Sequence, residues 1–170
     1  MDRGSLGEHE LSRNATVRKL HPLQERDVRF FDLTADEAME HWEKLAPYLE
    51  MSFKYSAGRM NIGAVKDNVE QGMSIVMVAY DYANKEVFAV LAAEGINYPE
   101  KKVFSVGLCG GKDIDVWAPT VWAGLVRIAI EKGCDQIEVV GRRGWKKFIP
   151  GVEEIATWYA MDLDIPEEGA

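Results

Sequence analysis

The chain has 170 residues, 47% apolar and 28% charged, a balance that fits one globular domain with a buried core and not a disordered chain. Its formal charge of −8 argues against a general nucleic-acid binder, because phosphate binding needs net or clustered positive charge. No apolar run approaches membrane-spanning length, and the polar N-terminus does not read as a signal peptide.

Residues 1–27 mix both charges and show no sustained apolar period. They read as an arm, either a solvated tail or a segment that orders only against a partner chain. Val28 to Leu33 is the expected first strand. Thr34, with Glu37 three residues on, forms the pattern of a capping box. The helix that follows carries Ala38, Met39, Trp42, Leu45, Ala46 and Leu49 at helical spacing, and Pro47 is expected to kink or restart it. Met51 to Arg59 reads as a connector, and Ile62 to Gln71 as a short amphipathic helix closed by Gly72.

Ser74 to Tyr80 and Val87 to Glu94 are expected to pair as antiparallel strands across a short turn. A second turn over Gly95 to Lys102 leads into Val103 to Leu108. Gly110 and Gly111 end that strand, and from Pro119 onward apolar residues recur three and four apart, as on one helix face. Gly133 stops the helix, and Cys134 to Val140 is the next strand. A strand–helix–strand of this size is a crossover unit with parallel strands. Arg142-Arg143-Gly144-Trp145 opens a short helix ended by Pro150-Gly151, Ile155 to Leu163 is the expected last strand, and an acidic tail covers 165–170. The expected domain is therefore 28–164, an α+β protein of order β-α-α-β-β-β-α-β-α-β, with helices on both faces of a mixed sheet.

This order resembles the acetyltransferase-type fold of the GNAT superfamily. Two segments narrow the resemblance: Cys109-Gly110-Gly111 with Trp117, and Gly133-Cys134 with Gly141-Arg142-Arg143-Gly144-Trp145. They are similar to GNAT-like proteins encoded by bacteriophages and prophages, including the acetyltransferase-like virion proteins of short-tailed phages. The resemblance implies a sheet that splays between its fourth and fifth strands, with acetyl-CoA bound in the split of active members. Leu108, Gly110, Gly111, Lys112 and Asp113 would then form the phosphate turn, and Arg142 could hold a phosphate. Asp113 to Asp115 stand where the family carries later glycines, and carboxylates there repel a pyrophosphate. The alternative reading of the turn is a helix capped by Asp113 or Asp115. Glu94 is the candidate general base and Tyr159 the candidate acid, against readings as a solvated strand end and a packing residue.

Arg142, Arg143, Lys146 and Lys147 place four cations within six residues, against the helix dipole. With Trp117 and Trp145 they form a candidate docking surface. Cys109 and Cys134 read as buried, reduced thiols, and no paired-Cys or His-x-x-x-His spacing suggests a metal site. The expectation is a GNAT-like fold used as a virion-associated structural or interaction protein, with acetyl transfer lost and no cofactor. It would contact other virion proteins or copies of itself, in the virion or the bacterial host cytoplasm, with no membrane span. The alternatives are an active acetyl-CoA-dependent N-acetyltransferase and a host-takeover factor that binds a bacterial protein.

Overall fold

The computed structural model describes residues 25–141, 143–157 and 159–161. Strand β1 (Val28–Asp32) leads to helices α1 (Ala35–Glu40) and α2 (Trp42–Glu50), a 3-10 turn over Phe53–Tyr55, and α3 (Ile62–Glu70). Strands β2 (Ser74–Asp81), β3 (Glu86–Asn97) and β4 (Lys102–Gly111) follow, then α4 (Ile114–Glu131), β5 (Gln136–Val139) and a 3-10 turn over Arg143–Lys147. The strands lie in the order β1-β2-β3-β4-β5. The first four are antiparallel to their neighbours, and β4 runs parallel to β5 through the α4 crossover.

Thr34 caps α1 as its sequence context requires: its Oγ1 accepts from the Glu37 N–H at 3.2 Å, and its own N–H donates to Glu37 Oε2 at 2.8 Å. The break in the helix pair falls at His41 and not at Pro47, which sits inside α2. Helix α4 begins at Ile114, five residues before Pro119, so the proline lies within it. Strand β3 continues through Gly95 to Asn97, because cross-strand pairing with β4 outweighs the weak strand preference of one glycine. No described residue of the expected last strand from Ile155 is in a strand. Ile155, Tyr159 and Met161 are exposed there, without the packed neighbours that would hold a strand in place.

Two apolar layers flank the sheet. One joins α4 to Met77, Phe88, Leu91, Phe104 and Val106. The other joins α1, α2 and α3 to Val76, Val78, Val90, Ala92 and Leu108. Among the described residues no helix is long and apolar enough to cross a membrane. The end of the expected arm is pinned to the β2–β3 turn. The fully buried Asp81 carboxylate accepts from the Asp27, Ala83 and Asn84 N–H groups and from the Asn84 side-chain amide at 2.7 Å. Burial pushes that carboxyl up, but these four donors outweigh it and hold it below its ordinary value. Residues 1–24 and the 165–170 tail lie outside the described residues.

Candidate functional site

The site begins with a β-bulge. Ala92 pairs with Leu108 and Ala93 with Val106, so Gly107 is one residue too many on β4. The bulge changes the phase of the strand. Phe104 and Val106 face the α4 layer; with strict alternation Leu108 would join them, yet Leu108 packs in the α1–α3 layer. Beyond Val139 the parallel pair also ends, while β4 runs on to Gly111. β4 and β5 therefore part just past the bulge.

A cavity of about 690 Å³ lies at this split. Its β4 wall runs from Ser105 through Gly107 to Cys109, and its β5 wall is Val139 to Gly141 with Trp145. The connection between α2 and α3 closes it with Ser52, Tyr55, Ser56, Arg59 and Met60, and Ser74, Ala92 and Glu94 line it from β2 and β3. The volume lies within the roughly 300–1,000 Å³ typical of small-molecule sites.

Glu94 is mid-strand, not at a strand end. It pairs with Ser74 on one side and Ser105 on the other. Directly opposed residues share a face, so the three form a polar row across β2, β3 and β4 on the α1–α3 side. The Ser74 hydroxyl donates to Glu94 Oε1 at 2.7 Å, and both serines are buried. Glu94 is half-buried, with its carboxylate held by one short bond in a largely apolar surrounding.

The β4–α4 turn departs from the glycine-cradle expectation. A Cβ on Gly110 would lie 1.6 Å from the Tyr48 carbonyl oxygen, and one on Gly111 would lie 2.4 Å from that of Phe88. These glycines let α2 and β3 pack on β4. The turn itself is made by Asp113, a non-glycine residue in the left-handed region (φ 52, ψ 50) that makes no side-chain cap bond to α4. A left-handed residue entering a helix gathers successive N–H groups into an anion-binding concavity. Trp117 fixes this turn, its Nε1 donating to the Lys112 carbonyl at 2.6 Å. Lys112 pairs with Glu86 at 2.9 Å and remains half-exposed, and the ion pair raises its pKa.

Trp117 is 2% exposed, so it is a core residue and not the surface anchor expected from sequence. Trp145 is half-buried against it, with ring centroids 6.4 Å apart, and closes the split on the α4 side together with Phe148 and Ile149. Arg143, Lys146 and Lys147 are exposed beyond it. Arg143 approaches Glu154 at 3.7 Å. Arg142 lies outside the described residues. Tyr159 is 92% exposed and does not line the cavity; the phenol that does is Tyr55. Cys109 lines the cavity, but burial pushes its thiol up to about 12, which keeps it protonated and poorly nucleophilic. Tyr55, Arg59, Ser74 and Ser105 were not singled out from sequence. A connector has no period to read, and strand partners are not visible along one strand.

No protein-family model matches the chain, and no curated protein matches it. Solved structures do. A probable acetyltransferase superposes with a TM-score of 0.59 at 14% identity, over 82% of this chain and 99% of that one. An aminoglycoside acetyltransferase, HMB0005, from an uncultured soil metagenomic sample gives 0.59 at 17% identity, over 81% and 99%. A predicted acetyltransferase with acetyl-CoA from Clostridium acetobutylicum gives 0.56 at 13% identity, over 81% and 96%. At these identities the likeness establishes the fold. The chain has the α+β GNAT acetyltransferase fold, with a five-stranded mixed sheet.

Proposed function

We propose that the chain is an acetyl-CoA-dependent N-acetyltransferase whose amine acceptor enters the cavity from the α1–α3 side. The observation that carries this reading is the seating of Glu94 beside the Gly107 bulge, in a cavity that opens where β4 and β5 part. A similar fold has been solved with acetyl-CoA. The turn of this chain fits such a cofactor in three respects: the left-handed Asp113 at the α4 N-terminus, the half-exposed Lys112 beside it, and the cations Arg143, Lys146 and Lys147 past the end of β5. The exposed carboxylates of Asp113 and Asp115 weaken the fit without blocking it.

When bound, acetyl-CoA supplies a thioester carbonyl carbon that an amine attacks, with loss of the thiolate. The chain supplies proton handling and orientation. Glu94, held by Ser74 through Oε1, takes the amine proton directly or through one water. Ser105 and the Gly107 backbone form the polar floor beside it, while Met60, Val65, Ala92 and Leu108 exclude water. Cys109, whose thiol is held protonated by burial, has no role as a nucleophile in this reading. Calorimetric titration with acetyl-CoA tests the reading: saturable binding coupled to transfer onto a simple amine supports it. No binding at millimolar cofactor overturns it.

A second reading rests on a different observation. Ile155, Tyr159 and Met161 are large apolar residues left 71%, 92% and 81% exposed in the segment that follows β5 and the basic turn. This favours a surface that docks a partner, as expected of a phage virion component meeting other virion proteins or copies of itself. Sedimentation of the purified chain, and assay of purified particles for it, test this reading. A strict monomer absent from particles overturns it.

A further inference from the structure

The charges inside the cavity are few and opposed. Among the described residues, Glu94 and Arg59 are the charged ones that line it; the other polar lining groups are neutral hydroxyls, the Asn68 amide, the Cys109 thiol, the Trp145 indole and backbone. Among the described residues Glu94 is engaged by Ser74. Arg59 is exposed in the connection that leads to α3, and its Nη1 donates to the Ser56 carbonyl at 3.3 Å. Among the described residues no carboxylate pairs with it. The described lining thus holds one carboxylate and one guanidinium, on separate elements, and no ion pair joins them.

We infer that the acceptor is a zwitterion, an amine that carries a carboxylate in the same molecule. Its ammonium end is drawn to Glu94, and its carboxylate is received by Arg59. This rests on the acetyltransferase reading for the chemistry, though not for the binding. A planar guanidinium receives a carboxylate through two parallel hydrogen bonds. A phosphate dianion calls for several cationic donors, and among the described lining residues Arg59 is the one cation. Nor is Arg59 placed for the phosphates of the cofactor. It belongs to the α1–α3 side, whereas α4 packs on the opposite face. Asn68 also lines the cavity and can add a neutral donor, whereas the Ser52 and Ser56 hydroxyls already donate to the Leu49 and Phe53 carbonyls.

The test uses matched pairs of probes: ω-amino acids of increasing chain length, and n-alkylamines of the same lengths. Binding to the full chain is read by calorimetry, and acetyl transfer is read separately. At the best length the amino acid should bind about tenfold more tightly than its alkylamine, the worth of one charge-assisted hydrogen-bonded pair at a partly exposed site. In Arg59→Gln that ratio should fall to near one, and Arg59→Lys should restore part of it. The length with the highest ratio reports the span between the two charges. Equal binding of both probe series, or binding of neither, overturns the inference. Acetyl transfer to the alkylamines in the first of these cases would leave the enzyme reading standing. Arg59-dependent binding without any transfer keeps the zwitterion site and overturns the enzyme reading.

Discussion

Ser74 and Glu94 face each other across β2 and β3, and the serine hydroxyl reaches the Glu94 carboxylate at 2.7 Å. One carboxylate oxygen is thereby tied to the sheet, and the orientation of the side chain is set by backbone pairing rather than by a loop. Glu94→Gln keeps an oxygen for Ser74 and loses the base. The expected result is a roughly hundred- to ten-thousand-fold fall in kcat, with thermal stability little changed. Steady-state assay beside a melting curve checks it. An unchanged kcat would remove Glu94 from the chemistry.

Gly110 and Gly107 are expected to respond oppositely to alanine. At Gly110 the added Cβ meets the Tyr48 carbonyl at 1.6 Å, and backbone cannot swing aside as a side chain can. Destabilisation of about 3 kcal/mol or more is expected. At Gly107 the added Cβ meets nothing within 4 Å, and the cost should stay within about 1 kcal/mol. Urea unfolding of both variants decides the point. A mild Gly110→Ala would mean that α2 does not seat on β4 as described.

Asp113→Asn removes a charge and keeps a residue type that tolerates the left-handed region. Acetyl-CoA should bind several-fold more tightly, because a like charge leaves the mouth of the concavity. The same change should cost about 0.3–1 kcal/mol of stability, because an anion at the α4 N-terminus is lost. Opposite signs in affinity and stability are the signature. Calorimetry together with unfolding reads both.

Asp81 makes the pairing of residues 25–27 with the β2–β3 turn sensitive to acid. Its carboxyl is held below the ordinary 3.8, so its contribution is fully present above that value and is lost as pH falls through it toward the lower folded value. Stability measured from neutral pH down through this range should decline. In Asp81→Asn, which starts less stable, the decline should be shallower. Parallel acid titrations of the two proteins would show otherwise as equal slopes.

The element order was legible because each piece carries a strong local signal: the Thr34–Glu37 box, the apolar runs of β2 and β4, and the three-and-four spacing of α4. What was not legible depends on neighbours. Gly95 reads as a turn along the chain but is held in β3 by Phe104. The segment from Ile155 is rich in apolar and aromatic residues and reads as a strand, but its described residues join no sheet. Gly110 and Gly111 read as a phosphate cradle until Tyr48 and Phe88 are seen against them. Glu94 was identified by position, but the Ser74 and Ser105 that flank it belong to other strands. Arg59 and Tyr55 sit in a connector whose sequence has no period from which their direction could be taken.

The extra residue at Gly107 gives β4 two reading frames in space. Upstream of it, even-numbered residues such as Phe104 and Val106 face α4; downstream, even-numbered Leu108 faces the other way. Deleting Gly107 would merge the frames yet leave Leu108 and Cys109 on their present sides, whereas keeping the residue in a regular strand without the bulge would swap them. The composition of the cavity wall is thus governed by a count as well as by side chains: the one residue that β4 carries beyond its β3 partners decides which face Leu108 and Cys109 take.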